Sequence, residues 1–144
     1  MLRLSTKGRY GLRAMIELAH AFDSDETPVM MGDIAERQEI SRKYLHALLT
    51  SLKHAGLVRS TRGAKGGYTL ARPPSNIKVS DIFIALEGTL AIVDCLHDPG
   101  TCKRGEDCPS RAVWSDLNNA IFRLLDGMTL RQLAGAHQAS EDPI

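Results

Sequence analysis

The stretch SRKYLHALLTSLKHAGLVRSTRGAKGGYTLAR, residues 41–72, decides the fold of this chain. Ser41 is a favourable helix N-cap, and the leucines after it recur at spacings of three and four residues. This pattern predicts a helix with one buried face that ends at Gly56. Two short strand-forming runs then flank a glycine-rich turn, which predicts a β-hairpin. The leucines of the helix are Leu45, Leu48, Leu49 and Leu52. The strands of the hairpin centre on Leu57, Val58 and residues 68–70, and its turn contains Gly63, Gly66 and Gly67.

The residues upstream complete a helix-turn-helix. Residues 31–38 have the periodicity of a short helix, and Glu39 and Ile40 leave only a tight connection before Ser41. Two helices joined by so short a turn are the layout of a helix-turn-helix, and a hairpin directly after it is called a wing. With a first helix over residues 6–22, we expect a mainly α fold with a small β-hairpin wing. A proline pair closes this winged helix-turn-helix DNA-binding domain at residue 74.

The second half of the chain predicts a connection, a cysteine loop and a long helix. Ser80 is the expected N-cap of a helix that ends at Gly88, and an apolar strand is expected over residues 90–93. After the loop, Pro109 suits a helix start, and the following apolar stripe is a candidate dimer interface as well as a candidate core face. Thr129 is expected to cap a short final turn. The apolar stripe comprises Val113, Leu117, Ala120, Ile121, Leu124, Leu125 and Met128. The predicted segments are the DNA-binding domain (1–74), the connecting helix and strand (75–94), the cysteine cluster loop (95–108), the dimerisation helix and terminal turn (109–135) and a flexible tail (136–144).

The charge of the chain is concentrated in the helix-turn-helix and wing. Its formal net charge is only +1, but residues 37–72 hold 8 Lys and Arg against Glu39 alone. A local excess of this size suits phosphate binding, although a solvated basic face is the simpler alternative. The start of a recognition helix faces base edges and phosphates, and glycines with cations at a wing tip suit a narrow minor groove. The candidate DNA contacts are Ser41, Arg42, Lys43 and Tyr44 in the helix and Arg62 and Lys65 at the wing, with His46 a weaker candidate.

All three cysteines lie in the loop DCLHDPGTCKRGEDCPSR, residues 94–111. Cys95, Cys102 and Cys108 converge on one polar loop, which indicates a metal or cluster site, because thiolates suit iron–sulfur clusters and zinc. Zinc would be completed by His97, and a redox disulfide switch is a third possibility. An odd cysteine count without an export signal favours a reducing cytoplasm, and no apolar run is long enough to span a membrane. We find no organised catalytic constellation and expect no enzyme activity.

The sequence resembles the IscR/NsrR family of bacterial winged-helix transcription regulators. The opening segment LSTKGRYGLRAMIELA, the recognition helix, the RGAKGGYTLAR wing and the three cysteines carry this resemblance, which spans residues 1–135. It implies a homodimer on a two-fold DNA operator and an iron–sulfur cluster, with two or four irons, held by Cys95, Cys102 and Cys108. It also assigns DNA contacts to Arg59, Arg62, Gly66 and Gly67.

Two departures from the family pattern leave the fourth cluster ligand open. IscR-like members have a histidine three residues after the last cysteine, where this chain has Arg111. NsrR-like members use an acidic residue near the N-terminus, where this chain has Gly8. The nearby candidates are His97, Asp94, Asp98, Glu106 and Asp107.

We therefore expect a cytoplasmic, homodimeric repressor whose DNA binding is controlled by an iron–sulfur cluster that senses cluster status, iron, or redox or nitric oxide stress. A zinc-stapled or thiol-redox regulator is one alternative. Another is a regulatory partner that docks on a metabolic enzyme through the acidic second half of the chain.

Overall fold

The computed structural model describes residues 4–104 and 107–141. It is mainly helical with one antiparallel hairpin. The elements are α1 (Thr6–Asp23), α2 (Met31–Gln38), α3 (Arg42–His54), β1 (Val58–Thr61), β2 (Gly67–Leu70), α4 (Val79–Glu87), α5 (Asp94–His97), α6 (Arg111–Asp126) and α7 (Leu130–Glu141), with short 3-10 turns at Pro74–Asn76 and Pro99–Thr101.

The helix-turn-helix of α2 and α3 forms as the sequence predicts. Glu39 adopts a left-handed conformation, φ 54°, which ends α2 and turns the chain within two residues. The Ser41 side chain accepts a hydrogen bond from the Tyr44 amide and caps α3. The four leucines of α3 are at most 3% exposed, which confirms the predicted buried face.

The wing is the β1–β2 hairpin, in which Val58 pairs with Leu70 and Thr61 with Gly67. Val29 adds a third pairing, because its amide and carbonyl both bond Tyr68 at 2.8 Å. At Gly67 a side chain would overlap the Val29 carbonyl, and at Gly66 it would overlap the Thr61 carbonyl. These close backbone approaches explain the glycine pair structurally.

The core lies between α1, α3, α4 and α7 and extends past residue 74. It includes Ile77, Ile82 and Leu130, each with no exposed surface. The Leu130 amide donates to the Ile77 carbonyl at 2.8 Å, which returns the end of the chain to the winged helix. Gly11 allows α1 to approach α4, because a Cβ there would overlap the Leu86 side chain.

Two expectations for the connecting segment are wrong. The helix over this region begins at Val79 with Lys78 as N-cap, and Ser80 lies inside it. The Ser80 hydroxyl instead donates to Asp126 at 2.9 Å and joins α4 to the end of α6. Residues 90–93 form no strand, because no neighbouring strand pairs with them; the Ile92 amide donates to the Asn118 side chain instead.

The last two helices also differ from expectation. The long helix begins at Arg111, two residues later than Pro109 suggests. Thr129 does cap the final helix: its hydroxyl accepts from the Gln132 amide, and the Gln132 side chain accepts from the Thr129 amide. That helix, α7, runs to Glu141 and so includes part of the segment predicted to be a tail. Residues 142–144 lie outside the described range.

Candidate nucleic-acid interface and cysteine cavity

The predicted recognition helix presents its first residues to solvent. Ser41, Arg42 and Lys43 are exposed at the start of α3. The Arg42 guanidinium lies against α2, since a Cβ on Gly32 would come within 3.0 Å of its Nη2 atom. His46 is exposed one turn further along. The surface therefore carries polar hydrogen-bond donors at the positions that a helix in the major groove uses.

Tyr44 is held differently from its neighbours. It is half-buried, its ring meets Tyr10 edge-on at 5.9 Å, and its hydroxyl lies 2.9 Å from the Thr6 hydroxyl. Arg13 packs on the other ring of this pair, 5.0 Å from the Tyr10 centroid. The start of α1 thus supports the recognition helix. Sequence reasoning missed this support, because Thr6 and Tyr44 are 38 residues apart and no local pattern connects them.

The wing carries three further exposed cations. Arg59 on β1 and Arg62 and Lys65 at the tip are all exposed. From residue 40 to residue 72 the chain contains no carboxylate side chain, so nothing within this segment neutralises the cations. Gly66 is buried beneath the tip, which fits its role in the turn. The start of α3 and the wing therefore each carry exposed positive charge of the kind that binds phosphate groups.

The three cysteines line one cavity of about 360 Å³ beside the start of α6. Cys95 comes from α5, Cys102 follows the Pro99–Thr101 turn, and Cys108 precedes α6. All three are free thiols. The rest of the wall is formed by Val93, Asp94, Thr101, Ser110, Arg111 and Trp114.

The structure separates the candidate fourth ligands. His97 lines a different groove, together with Leu96, Asn118 and Phe122. Asp98 caps the turn after it, accepting from the Gly100 amide at 3.0 Å. Asp107 is described but is not among the residues lining the cysteine cavity. Glu106 lies outside the described residues. Asp94 alone of the four described candidates lines the cavity with the thiols.

Cys108 has an activated thiol. The Ser110 hydroxyl lies 3.0 Å from its Sγ atom. Donation from this hydroxyl lowers the pKa of the Cys108 thiol, and the nearby Arg104 charge acts in the same direction. The thiolate, which is the form that binds metals and reacts with oxidants, is therefore formed more readily here than in a cysteine of ordinary pKa.

The donor chemistry of the cavity fits an iron–sulfur cluster. Three cysteines line a common space with a cation, Arg111, in its wall, and thiolates are the usual ligands of such clusters. Within the described ranges, no three His, Cys, Asp or Glu side chains already surround a single point at which a metal ion would sit. Binding therefore requires the loop side chains to turn inward.

Helix α6 packs on α4 and α5, but part of its apolar surface is left uncovered by the residues that the structure describes. Among its described residues none is buried, and Val113 and Leu124 are 58% and 65% exposed. Ala120 lies on the same exposed face.

In the described part of the chain, no helix is both long and apolar enough to cross a bilayer.

The sequence of the chain matches a known family of proteins. The model of the Rrf2 family, described as an iron-dependent transcriptional regulator, matches residues 4–136. The protein rrf2 of Nitratidesulfovibrio vulgaris is 40% identical over 132 residues, which is 92% of this chain and 87% of that protein.

Two solved structures have the same fold. The structure of T. potens IscR superimposes with a TM-score of 0.81 at 39% identity, covering 99% of this chain and 93% of the other. CymR, the global cysteine regulator of B. subtilis, has a TM-score of 0.75 at 41% identity, covering 94% and 98%. These likenesses confirm the winged-helix fold.

Proposed function

Since the chain belongs to the Rrf2 family of transcriptional regulators, we propose that it is a homodimeric repressor controlled by an iron–sulfur cluster on Cys95, Cys102 and Cys108. As a family member it is a DNA-binding transcriptional regulator and not an enzyme. The cluster, the repression, the dimer and the cytoplasmic location are parts of this proposal. The observation that supports cluster control is the one cavity lined by all three cysteines.

The dimer would form through α6. Its exposed apolar side chains, including Val113 and Leu124, are of the kind that a second copy covers in a symmetric interface. Two copies related by a two-fold axis would present two α3 helices to half-sites about one turn of DNA apart. Ser41, Arg42, Lys43 and Tyr44 would contact base edges and phosphates, and Arg59, Arg62 and Lys65 with the Gly66–67 turn would contact the flanking backbone and minor groove.

Cys95, Cys102 and Cys108 would hold the cluster, and ligation by all three would fix the shape of the cysteine loop. The cavity wall includes Arg111 and Trp114 in the first turn of α6, so a change in the loop would act on the dimer helix. The far end of α6 is joined to α4 by the Ser80–Asp126 hydrogen bond. Helix α4 packs in turn on α1 and α3, which connects the cavity to the DNA-binding surface.

Operator affinity measured by fluorescence anisotropy tests this function. Three forms are compared: cluster-loaded protein, protein stripped by a chelator, and the Cys102→Ala variant. We expect the loaded and stripped forms to differ at least about tenfold, about 1.4 kcal/mol, with Cys102→Ala resembling the stripped form. Lys103→Ala, an exposed neighbour outside the cavity wall, is the matched control. Equal affinity in all forms would refute cluster control but leave DNA binding intact.

A thiol-based regulator is the second candidate. The favouring observations are the lowered pKa of Cys108, caused by Ser110, and the structural likeness to CymR. In that case the protein as isolated would be colourless and free of iron. Mild oxidation followed by thiol reduction would then change operator affinity reversibly. A colourless protein with one zinc per chain would instead indicate a zinc-stapled regulator.

A further inference from the structure

The proposed cluster site has three thiolates and one unassigned position. Arg111 stands where a ligating histidine would complete an IscR-like set, and a guanidinium does not ligate iron because it has no free lone pair at ordinary pH. We propose that the carboxylate of Asp94 is the fourth ligand. This inference rests on the proposed function, because it requires a cluster at the three cysteines.

The first argument is placement. Asp94 and Cys95 are consecutive residues of the short helix α5, and both line the cysteine cavity. Asp94 is exposed, and its carboxylate has no hydrogen-bond or ion-pair partner among the described residues. Its backbone carbonyl already accepts from the Asp98 amide at 2.8 Å, so the turn is anchored while the side chain is available.

The second argument is the position of the competing groups. His97, which zinc would favour, lines the groove formed with Ile84 and Phe122 and not the cavity of the thiols. Asp98 is used locally, since its Oδ1 atom accepts from Gly100. The other polar side chains of the cavity wall, Thr101 and Ser110, are neutral hydroxyls, which are weaker ligands than a carboxylate.

The third argument is charge. Three thiolates and a carboxylate bring four negative charges to one site, more than three thiolates and a histidine would. Arg111 lies in the wall of the same cavity and offsets part of that charge. An arginine in place of the histidine is therefore consistent with an anionic fourth ligand. A carboxylate is also a harder donor than a thiolate, so iron at this position is the more easily released.

The test compares four anaerobically reconstituted proteins: wild type, Asp94→Asn, Asp94→Cys and the matched control Asp98→Asn. Iron and sulfide are counted per chain, the absorption spectrum and the electron paramagnetic resonance spectrum of the reduced cluster are recorded, and cluster lifetime in air is measured. We expect Asp94→Asn to shorten the lifetime at least about fivefold and shift the resonance spectrum. Asp94→Cys should show the spectrum of an all-thiolate cluster. Asp98→Asn should match wild type.

A rescue variant separates ligation from a general effect on the loop. In Asp94→Asn/Arg111→His a nitrogen donor is restored at the family position, so we expect the cluster lifetime to recover. Wild-type spectra and lifetime in both Asp94 variants, with cluster loss in Cys102→Ala, would overturn Asp94 as ligand and leave the proposed function standing. A wild-type protein that takes up no iron or sulfide would overturn both.

Discussion

In the winged helix the apolar stripe of α3 lies inside the chain's own core, whereas on α6 part of the apolar stripe lies on the surface. Leu45, Leu49 and Leu52 of α3 have no exposed surface, while Leu124 of α6 is 65% exposed. Both helices have the spacing of three and four that makes an amphipathic stripe. The same spacing is therefore covered by the chain's own core on α3, whereas the exposed part of the α6 stripe needs a second surface to cover it.

Replacing one buried leucine of α3 and one exposed leucine of α6 with alanine tests this difference most directly. Leu49→Ala leaves a cavity in the core and should lower the free energy of unfolding by about 2–5 kcal/mol. Leu124→Ala should instead raise the dimer dissociation constant at least about tenfold, or ~1.4 kcal/mol. Urea unfolding and light scattering over a range of concentrations measure the two effects. A monomeric wild type would contradict the assignment of α6 to a dimer.

Two glycine-to-alanine substitutions, one in α1 and one in α7, test how tightly α1 packs on α4. Gly11→Ala places a methyl group against Leu86 of α4 and should destabilise the fold by about 1–3 kcal/mol. Gly135→Ala in α7, where a Cβ has open space, should stabilise it by about 0.5–1 kcal/mol. Thermal and urea unfolding measure both. Equal effects of the two substitutions would show that the α1–α4 contact tolerates the extra methyl group.

Cations of the wing and cations of α6 should differ in their effect on DNA binding. Arg62→Ala at the wing tip removes a proposed phosphate contact and should weaken operator binding about fivefold, or ~1 kcal/mol. It should also reduce the slope of log affinity against log salt by about 1. Arg123→Ala, an exposed position on α6, should leave the slope unchanged. Affinity titrations at several salt concentrations measure the slopes, and equal slopes in both variants would contradict a DNA-binding wing.

The smallest expected effect concerns the activated thiol of the cysteine loop. In the metal-free protein, Ser110→Ala removes the hydroxyl that lowers the pKa of Cys108, so that pKa should rise. The sign follows from the thiolate being the reactive form: alkylation of Cys108 at neutral pH should slow, and its midpoint should move to higher pH. Alkylation rates resolved by mass spectrometry measure this. Thr101→Ala, elsewhere in the cavity wall, should leave the Cys108 profile as in wild type.

Local patterns predicted much of the fold but failed where a distant partner decided the outcome. The α2 and α3 helices, the Ser41 cap and the hairpin follow from neighbouring residues and form as predicted. Residues 90–93 have strand-forming side chains but no strand beside them, so their backbone bonds elsewhere. Ser80 has the chemistry of a cap, yet Asp126, 46 residues away, takes its hydroxyl.

The candidate site divides in the same way. The basic wing and the convergence of three cysteines on one loop are properties of the sequence, because side-chain type and spacing along the chain are enough to establish them. The orientation of α5 against α6 determines which acidic side chain shares the cavity with those cysteines. Only the tertiary structure placed Asp94 in that cavity and His97 in the neighbouring groove. Likewise, only packing decided that the stripe of α3 is buried whereas Val113, Ala120 and Leu124 of α6 stay exposed, since burial depends on contacts between residues far apart in sequence.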